Sequence, residues 1–377
     1  MKITTKLTVC EEQTTASFEN AIGETLSADT KCLFILANEA DGWEPVQVDS
    51  ILTSIDVPIF GGVFPFVVHA GKQLKQGTLI VGLNFIPELV LVENLSLSRD
   101  RIEQQLDDAS TVITRTKHLI TIVDGLTENI ERFTEALYGI TGQNATTIGC
   151  GAGTLDFVQK PCLFTNKGMI CDAALIAAIP THFSLGVSHG WEVLEGPHLV
   201  TNSKGNVLES LDYAPAFDIY REHVEKSSGL SFDDQDFFEI AKTYPLGIEN
   251  IEGELLVRDP IVLEGKSLVC VGELPENSVV YLLKGVQENL IDAAGKAANI
   301  ANKNQQSSNA NEMSVLLFDC ISRALFLDEN FDRELKSIEK NLEGENAIFG
   351  ALTLGEIGNS INGPIEWLNK STAVAVF

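Results

Sequence analysis

The chain has 377 residues, of which 44% are hydrophobic and 21% are charged, and this composition is that of a globular protein rather than a disordered one. The length suffices for two packed cores, because a single core rarely grows beyond about 250–300 residues. The 53 acidic residues exceed the 26 basic ones and give a formal net charge of −27. Since this charge repels nucleic acid and anionic lipid, we expect no nucleic-acid partner, although the field could steer a basic protein or a cationic ligand.

No stretch of the sequence reaches the ~18–20 apolar residues of a membrane span, so we expect no membrane partner. The amino end, from Met1 to Glu12, has no apolar signal core and no small-residue cleavage site, which predicts a cytoplasmic protein. The seven cysteines are an odd number, and none forms a C-x-x-C pair. We interpret those in apolar runs, such as Cys32 and Cys270, as buried reduced thiols rather than disulfide or zinc ligands.

In the first part of the chain, apolar β-rich runs alternate with amphipathic helical stretches. The elements predicted from these patterns are strands at 31–37, 77–83 and 118–123 and helices at 101–114 and 126–138. The segment 146–198 combines short strands with glycine turns, and a short helix is predicted at 215–224. Because residues 227–236 are acidic and rich in turn formers, we place a module boundary near residue 230.

The second part of the chain continues the alternation. Its predicted elements are strands at 255–257, 267–272, 278–283, 314–319, 347–354 and 371–377 and helices at 286–301 and 332–342. Residues 302–311 are rich in Asn, Gln and Ser and predict a solvated loop, and we find no repeat of fixed period. The alternation predicts an α/β (mixed α+β) protein of two layered sheet-and-helix modules, over residues 1–230 and 231–377.

Polar side chains lie at predicted strand ends in the second module. Cys320 and Arg323 follow one strand, Glu356 lies in a turn after the next, and Asn369 precedes the last strand. Such groups commonly line a ligand crevice, and an arginine there suits a carboxylate, such as that of an amino acid or a haem propionate. The alternative is that Arg323 and Glu356 pair with each other, and both interpretations stay open.

Motifs for catalysis are missing from the sequence. The glycine-rich run 149–154 lacks the lysine of a phosphate-binding loop, so it predicts a tight turn or a close approach of a ligand to the backbone. Ser188 and His189 are neighbours on a strand and face opposite sides, which excludes a nucleophile–base pair on one face. Cys320 is the candidate nucleophile, but no base lies near it in sequence. We therefore expect a protein that is not an enzyme.

Three histidines are candidates for a metal or haem ligand, because imidazole binds both. His182 and His189 flank one predicted strand, and their separation by seven positions puts them on opposite faces. They cannot therefore chelate one metal together from a regular strand. His69, His182 or His189 could still be a single axial ligand, and a structural role is the alternative for each.

Ordered motifs from about residue 30 to residue 377 resemble the FIST family. Those similar to its N-terminal module are Gly186-Val187-Ser188-His189-Gly190-Trp191, Gly196-Pro197, Gly205-Asn206-Val207 and Pro215-Ala216 with Tyr220. Those similar to its C-terminal module are Tyr244-Pro245-Leu246-Gly247, Val257-Arg258-Asp259-Pro260, Phe318-Asp319-Cys320-Ile321-Ser322-Arg323, Gly355-Glu356-Ile357 and Asn369 with Thr372. The resemblance implies an intracellular sensory module for a small ligand, and we expect its output to pass through a separate protein.

A narrower resemblance concerns stand-alone bacterial FIST proteins that sense nitric oxide through haem, and residues 60–65 and 151–166 carry it. It implies a non-covalent haem b, a histidine ligand to iron, nitric oxide as the signal and a histidine kinase as the partner. We favour His189 as the ligand, followed by His182 and His69, although His189 also belongs to the general family motif.

The alternative ligand is an amino acid or another small anionic metabolite. Its polar contacts would be Arg323, Glu356 and Asn369, with Cys320 beside them. The sequence does not specify the oligomeric state, and a homodimer is compatible with it.

Overall fold

Strands and helices alternate along the computed structural model, which describes residues 2–250, 253–305, 312–359 and 363–377. The helices are α1 Thr15–Thr25, α2 Pro45–Thr53, α3 Arg99–Ile113, α4 Ile130–Thr141, α5 Ala216–Ser228, α6 Phe237–Ala241, α7 Gln287–Asn304, α8 Ile321–Leu327 and α9 Phe331–Lys340.

The strands of the first half are β1 Thr4–Cys10, β2 Cys32–Asn38, β3 Ile59–Phe64, β4 Phe66–His69, β5 Lys72–Leu74, β6 Thr78–Leu83, β7 Glu88–Glu93, β8 His118–Asp124, β9 Thr146–Ala152, β10 Leu163–Thr165, β11 Gly168–Ile170, β12 Ala173–Ile179 and β13 Ser184–Ser188. Those of the second half are β14 Glu192–Lys204, β15 Val207–Leu211, β16 Ala214–Pro215, β17 Leu246–Glu249, β18 Leu255–Glu264, β19 Ser267–Val271, β20 Val279–Lys284, β21 Glu312–Cys320, β22 Glu345–Thr353, β23 Glu356–Gly358, β24 Glu366–Leu368 and β25 Thr372–Val376.

The mixed α+β class predicted from the sequence is confirmed, and most predicted elements form. The helix predicted at 286–301 is α7, although it runs three residues into the predicted loop 302–311, whose residues 306–311 lie outside the described ranges. The sequence prediction missed α1 and α2. Both have local start signals: Thr14 accepts a hydrogen bond from the Ser17 N–H, and Glu44 and Gln47 form a capping box around Pro45.

Three of the sheets in the described residues follow one plan. Their strand orders are β1-β6-β2-β3-β10-β11 in the first sheet, β7-β12-β8-β9-β23-β24 in the second and β13-β25-β21-β22-β4-β5 in the third. In each sheet the third and fourth strands are parallel and are joined along the chain by helices, α2 in the first, α4 in the second and α8 with α9 in the third. The chain therefore contains a threefold structural repeat, which the search for a fixed sequence period did not find.

Each repeat gives its hairpin to another repeat. The hairpin β4–β5 follows the first repeat's parallel pair but completes the third sheet, β10–β11 completes the first sheet, and β23–β24 completes the second. The exchange is cyclic, so each sheet depends on residues far away in the sequence. Strands from both sides of residue 230 share the second and third sheets, and the boundary at that residue stays a prediction.

One glycine recurs at the same register position in the three repeats. Gly61, Gly149 and Gly350 pair with Ile35, Thr121 and Leu317 on the neighbouring parallel strand. A Cβ atom at these glycines would lie 2.0, 2.2 and 1.8 Å from the carbonyl oxygen of the paired residue. Since no side chain fits at that distance, the close approach of the two strands requires glycine in each repeat.

The inner faces of the three sheets meet in a common core. The Phe34 ring stacks on Phe60 at a centroid distance of 4.5 Å and meets the edge of Phe349, from the third sheet, at 6.4 Å. Ile120 and Ile148 of the second sheet belong to the same buried cluster. The helices cover the outer faces, where α3 and α4 pack on the second sheet and α7 and α9 on the third.

A β-barrel is inserted into the third repeat, between β13 and α7. Its strands pair in the order β14-β20-β17-β18-β19-β15, and pairing of β15 with β14 closes the ring. Leu246, Leu268 and Val280 lie in its buried cluster together with Tyr220 of α5. Among the described helices, none combines the length and the apolar composition that a membrane crossing requires.

Candidate functional site

A cleft of about 880 Å³ lies where the barrel faces the second and third repeats. Its described lining residues are Gly125, Leu126, Thr127, Glu128, Asn129, Ile130, Glu131, Leu155, Phe157, Gly205, Asn206, Phe238, Asp259, Ile261, Val262, Cys270, Val271, Gly272, Glu273, Cys320, Ile321, Ser322, Leu325, Leu354, Trp367 and Asn369. The volume falls within the ~300–1,000 Å³ of small-molecule sites.

The fold places this cleft at the carboxyl ends of parallel strands. Gly125 follows β8 directly, Ile321 follows β21, and Leu354 follows β22. Sheets with parallel strands bind ligands at this end, because the loops that leave the strands are free to diverge there. The barrel strands β18 and β19 supply the opposite wall, with Asp259, Val262 and Val271.

A buried polar cluster forms the floor of the cleft, and two of its atoms have no partner. Asp259 Oδ2 accepts a hydrogen bond from the Ser322 hydroxyl at 2.9 Å. The same oxygen forms an ion pair with Lys370 Nζ at 3.0 Å. Asp259 Oδ1 and Asn369 Nδ2 are buried and have no hydrogen-bond partner among the described residues. Since an unpaired buried polar atom costs about 1–3 kcal/mol, one acceptor and one donor at the floor are left for a ligand.

Two further carboxylates, those of Glu131 and Glu273, line the wall of the cleft. Glu131 Oε1 accepts a hydrogen bond from the Glu273 N–H at 2.8 Å, so the two acidic residues lie side by side. Burial raises the pKa of Glu273, and the neighbouring Glu131 raises it further, whereas Arg132 and Arg258 lower it. Arg132 also forms an ion pair with Glu273 at 3.7 Å, so arginines neutralise part of the negative charge on this wall.

Apolar side chains at the mouth of the cleft are exposed to solvent. Phe157, Val262 and Leu325 are 55%, 46% and 41% exposed. Phe157 has a φ of 53°, a left-handed conformation that is rare for a bulky residue. Asp156 fixes its loop, because its carboxylate accepts hydrogen bonds from the Thr154 hydroxyl and the Val158 N–H. The structure thus presents apolar surface at the entrance.

The predicted ligand-binding residue Arg323 lies behind the cleft floor and is fully buried. Its guanidinium pairs with Glu334 and lies 3.2 Å from Asp319 Oδ1, and its remaining donors meet the carbonyls of His189, Lys370 and Leu290. These partners use all five N–H groups of an arginine. No guanidinium donor is left for a ligand carboxylate, and Arg323 pairs with Glu334 rather than with Glu356.

The other predicted contacts divide into two groups. Cys320 and Asn369 line the cleft, whereas Glu356 is fully buried and outside its lining. Glu356 accepts hydrogen bonds from the Thr353 and Ser371 hydroxyls, both at 2.7 Å, and burial raises its pKa to about 8. Burial, followed by the charge of Glu356, raises the pKa of Cys320 well above its ordinary value, so the thiol stays protonated.

His189, the favoured haem ligand, accepts a hydrogen bond on the ring nitrogen from which a metal-binding histidine would donate one. Its Nδ1 accepts from the Trp191 N–H at 3.0 Å, and burial, with the charge of Arg323, lowers its pKa to about 4. The neutral ring therefore carries its proton on Nε2. In a metal-binding histidine, the ring nitrogen that does not bind the metal carries the proton and donates a hydrogen bond, which leaves the other nitrogen free for the metal. The cavity beside His189 is about 200 Å³, below the usual range for small-molecule sites.

The other two candidate histidines lie at opposite sides of the third sheet. His69 ends β4 at one side of the third sheet, and His182 is exposed just before β13 at the other side. Four strand spacings of about 4.8 Å separate these sides. None of the three histidines lines the 880 Å³ cleft. Within the described ranges, no group of three or more His, Cys, Asp or Glu side chains could hold a metal ion. None of the three histidines is therefore placed to bind a haem iron within this cleft.

Sequence reasoning missed most of the cleft. Asp259, Ser322 and Glu273 come from the barrel and from α8, and Glu131 lies on α4. The motif Val257-Arg258-Asp259-Pro260 carries part of the family resemblance, and an acidic residue within an apolar strand is a sequence signal of a buried carboxylate. Nothing local in the sequence indicates that Glu131 and Glu273 meet.

Comparison with protein families gives two adjacent matches. The FIST N domain matches residues 52–214, and the FIST C domain matches residues 216–359. No curated protein matches the chain, so the likeness to the nitric-oxide-sensing haem proteins stays a prediction. The two domain matches follow each other with one residue between them and cover most of the chain. The chain therefore belongs to the FIST-domain proteins, and FIST domains are sensory domains of signalling proteins.

Proposed function

We propose that this protein is the small-molecule receptor of a signalling system and that its ligand binds in the cleft between the barrel and the second and third repeats. The observation that carries this proposal is the pair of unpartnered buried atoms at the cleft floor, Asp259 Oδ1 and Asn369 Nδ2. A small polar ligand would satisfy both and would remove the cost of leaving them unpaired.

The position of the cleft supports a sensory role. Its walls come from three parts of the fold, represented by Glu131 of the second repeat, Val262 of the barrel and Ser322 of the third repeat. A ligand that contacts all three parts would favour the arrangement in which they are closest, and such differential affinity is the condition for a change of output. We propose a separate protein, a histidine kinase as the family resemblance implies, as the partner that reads this change.

A thermal-shift screen with a metabolite library tests the proposal, because a ligand that binds the native state raises the melting temperature. Val262→Trp fills the mouth of the cleft, where Val262 is 46% exposed, and Val193→Trp places the same side chain on β14 of the barrel, away from the lining. We expect shifts that disappear in Val262→Trp and persist in Val193→Trp. Shifts in melting temperature that persist in both variants would show that the ligand binds outside the cleft.

Haem with nitric oxide is the ligand that the narrower resemblance implies, and the donor set gives it no support. The cleft of suitable volume is lined by no histidine among the described residues, and His189 presents a protonated Nε2. An absorption spectrum with added hemin, before and after nitric oxide, tests this ligand directly. A Soret band that shifts with nitric oxide would show that nitric oxide bound to haem, rather than a ligand in the cleft, is the signal.

A further inference from the structure

Among the Asp, Glu, Lys, Arg and His side chains, those that line the cleft are all carboxylic acids. In the part of the chain that the structure describes, they are Glu128, Glu131, Asp259 and Glu273, and no lysine, arginine or histidine belongs to the lining. A cleft with low-dielectric walls concentrates the field of such charges, so it attracts cations and repels anions. The net charge of −27 for the whole chain acts in the same direction.

The nearest basic groups lie behind the wall and neutralise part of its charge, since Lys370 pairs with Asp259 and Arg132 pairs with Glu273. Lys370 contacts Asp259 Oδ2 and the Lys242 carbonyl, both at 3.0 Å, and its ammonium lies over the Trp191 ring. Arg258 donates to the carbonyls of Val257, Glu273 and Trp367. These contacts fix both cations behind the wall and leave Asp259 Oδ1 without a hydrogen-bond donor.

The amino end of α4 also faces the cleft, and a helix amino terminus favours an anion. Glu131 in its first turn and Glu128 just before it bring two full negative charges to the same place. A helix dipole corresponds to only about half a positive charge, so the two carboxylates outweigh it.

The remaining lining is suited to an apolar body. Most of it is aliphatic, and Phe157, Phe238 and Trp367 add aromatic rings. Aromatic faces attract cations as well as apolar groups. Burial together with Glu131 disfavours the charged form of Glu273, and a cation bound in the cleft would reduce this repulsion.

We propose that the ligand class of this cleft is an organic monocation, an amine on an apolar body, rather than an anionic metabolite. The ammonium group would donate to Asp259 Oδ1, and Asn369 Nδ2 would donate to an uncharged oxygen on the same ligand. This inference rests on the proposed function, since it names the chemistry of the ligand at that site.

Three ligands of the same length test the sign of the charge: hexylamine, hexanol and hexanoate, each titrated calorimetrically into the full chain. We expect hexylamine to bind at least about tenfold more tightly than the other two, because only it pairs with the cleft carboxylates. Asp259→Asn and Glu273→Gln should each weaken hexylamine binding by about tenfold. Glu264→Gln makes the same charge change on an exposed part of β18 outside the lining and should leave binding unaltered.

The outcomes separate this inference from the proposed function. Equal or tighter binding of hexanol or hexanoate, or unaltered hexylamine binding in Glu273→Gln, would overturn the cationic class. The receptor proposal would stand in that case if Val262→Trp still abolished binding. Failure of all three probes, with cleft-dependent shifts from anionic metabolites in the thermal screen, would likewise overturn only the cationic class. Absence of any cleft-dependent ligand would overturn both.

Discussion

Arg323 and Glu334 form a buried ion pair with two parallel hydrogen bonds, Nε to Oε1 at 3.0 Å and Nη2 to Oε2 at 2.7 Å. Both side chains are fully buried, and Arg323 links α8, which carries it, to α9, which carries Glu334. The same guanidinium contacts backbone carbonyls of three other segments, at His189, Leu290 and Lys370. Arg323 is thus a structural residue of the third repeat, placed directly behind the cleft floor.

Replacing Arg323 by lysine should destabilise the protein strongly. Lysine keeps the charge but cannot form the two parallel bonds, so Glu334 loses a partner in the interior at a cost of about 3–5 kcal/mol. Urea unfolding measures this difference. Arg333→Lys is the control, because Arg333 and Glu288 are both exposed and such a pair contributes only about 0–1 kcal/mol. A stable Arg323→Lys variant that had lost ligand binding would show instead that Arg323 acts on the ligand.

Two glycine-to-alanine substitutions should have opposite effects. At Gly149 the new Cβ would lie 2.2 Å from the Thr121 carbonyl oxygen, so strands β8 and β9 must separate, at a cost of about 1–3 kcal/mol or more. At Gly139, in α4, no atom of the described residues lies within 4 Å of the new atom. Alanine there should stabilise the helix by about 0.5–1 kcal/mol. Melting temperatures measure both effects, and an unchanged melting temperature for Gly149→Ala would contradict the repeated close approach.

Glu356 should make stability depend on pH. Its folded pKa, raised by burial to about 8, lies above the ordinary value of 4.5, so the folded state holds a proton that the unfolded state releases. The contribution is complete below the ordinary pKa and is lost as the pH rises through the window to about 8, at up to ~1.4 kcal/mol per pH unit.

Glu356→Gln removes this titration and keeps a side chain of the same shape. Between pH 5 and pH 8, the free energy of unfolding of the native protein should fall relative to that of the variant. This range covers most of the interval between the ordinary pKa of 4.5 and the folded pKa of about 8. Urea unfolding at several pH values measures the difference. Parallel pH profiles for the two proteins would show that Glu356 is ionised throughout.

His189→Ala should leave the absorption spectrum of added hemin unaltered, because Nδ1 is occupied by the Trp191 N–H and Nε2 carries the ring proton. His69→Ala and His182→Ala serve as comparisons, since these residues lie at opposite sides of the third sheet. Loss of a Soret band in His189→Ala alone would establish His189 as the iron ligand and would require the ring to change its tautomer.

Local patterns predicted the elements that bury one stripe or face. Helix α3 is predicted because its apolar residues recur with the helical period, whereas strand β8 is predicted from a continuous apolar run. Ordered motifs such as Gly186-Val187-Ser188-His189-Gly190 also pointed to the FIST family, which the domain matches support. Helices α1 and α2 were missed although their caps were visible, because short helices have few turns in which a period can be recognised.

The candidate site was predicted only in part. Cys320 and Asn369 were expected at a ligand crevice and do line the cleft, since residues at the ends of adjacent strands meet at one edge of a sheet. Arg323 was expected there too, but its side chain turns inward to Glu334. The sequence cannot distinguish these directions, because a helix one residue longer or shorter would rotate the side chain to another face.

The sequence by itself determined the class of fold, the family and the acidic character of the chain, because composition, periodicity and ordered motifs are properties of neighbouring residues. The tertiary structure alone decided the exchange of hairpins among the three sheets and the meeting of Glu131 with Glu273, which lie 142 positions apart in the chain. Contacts of this kind depend on how sheets pack and where strands end, and they have no local signature. The sign of charge in the cleft is therefore a property of the folded chain.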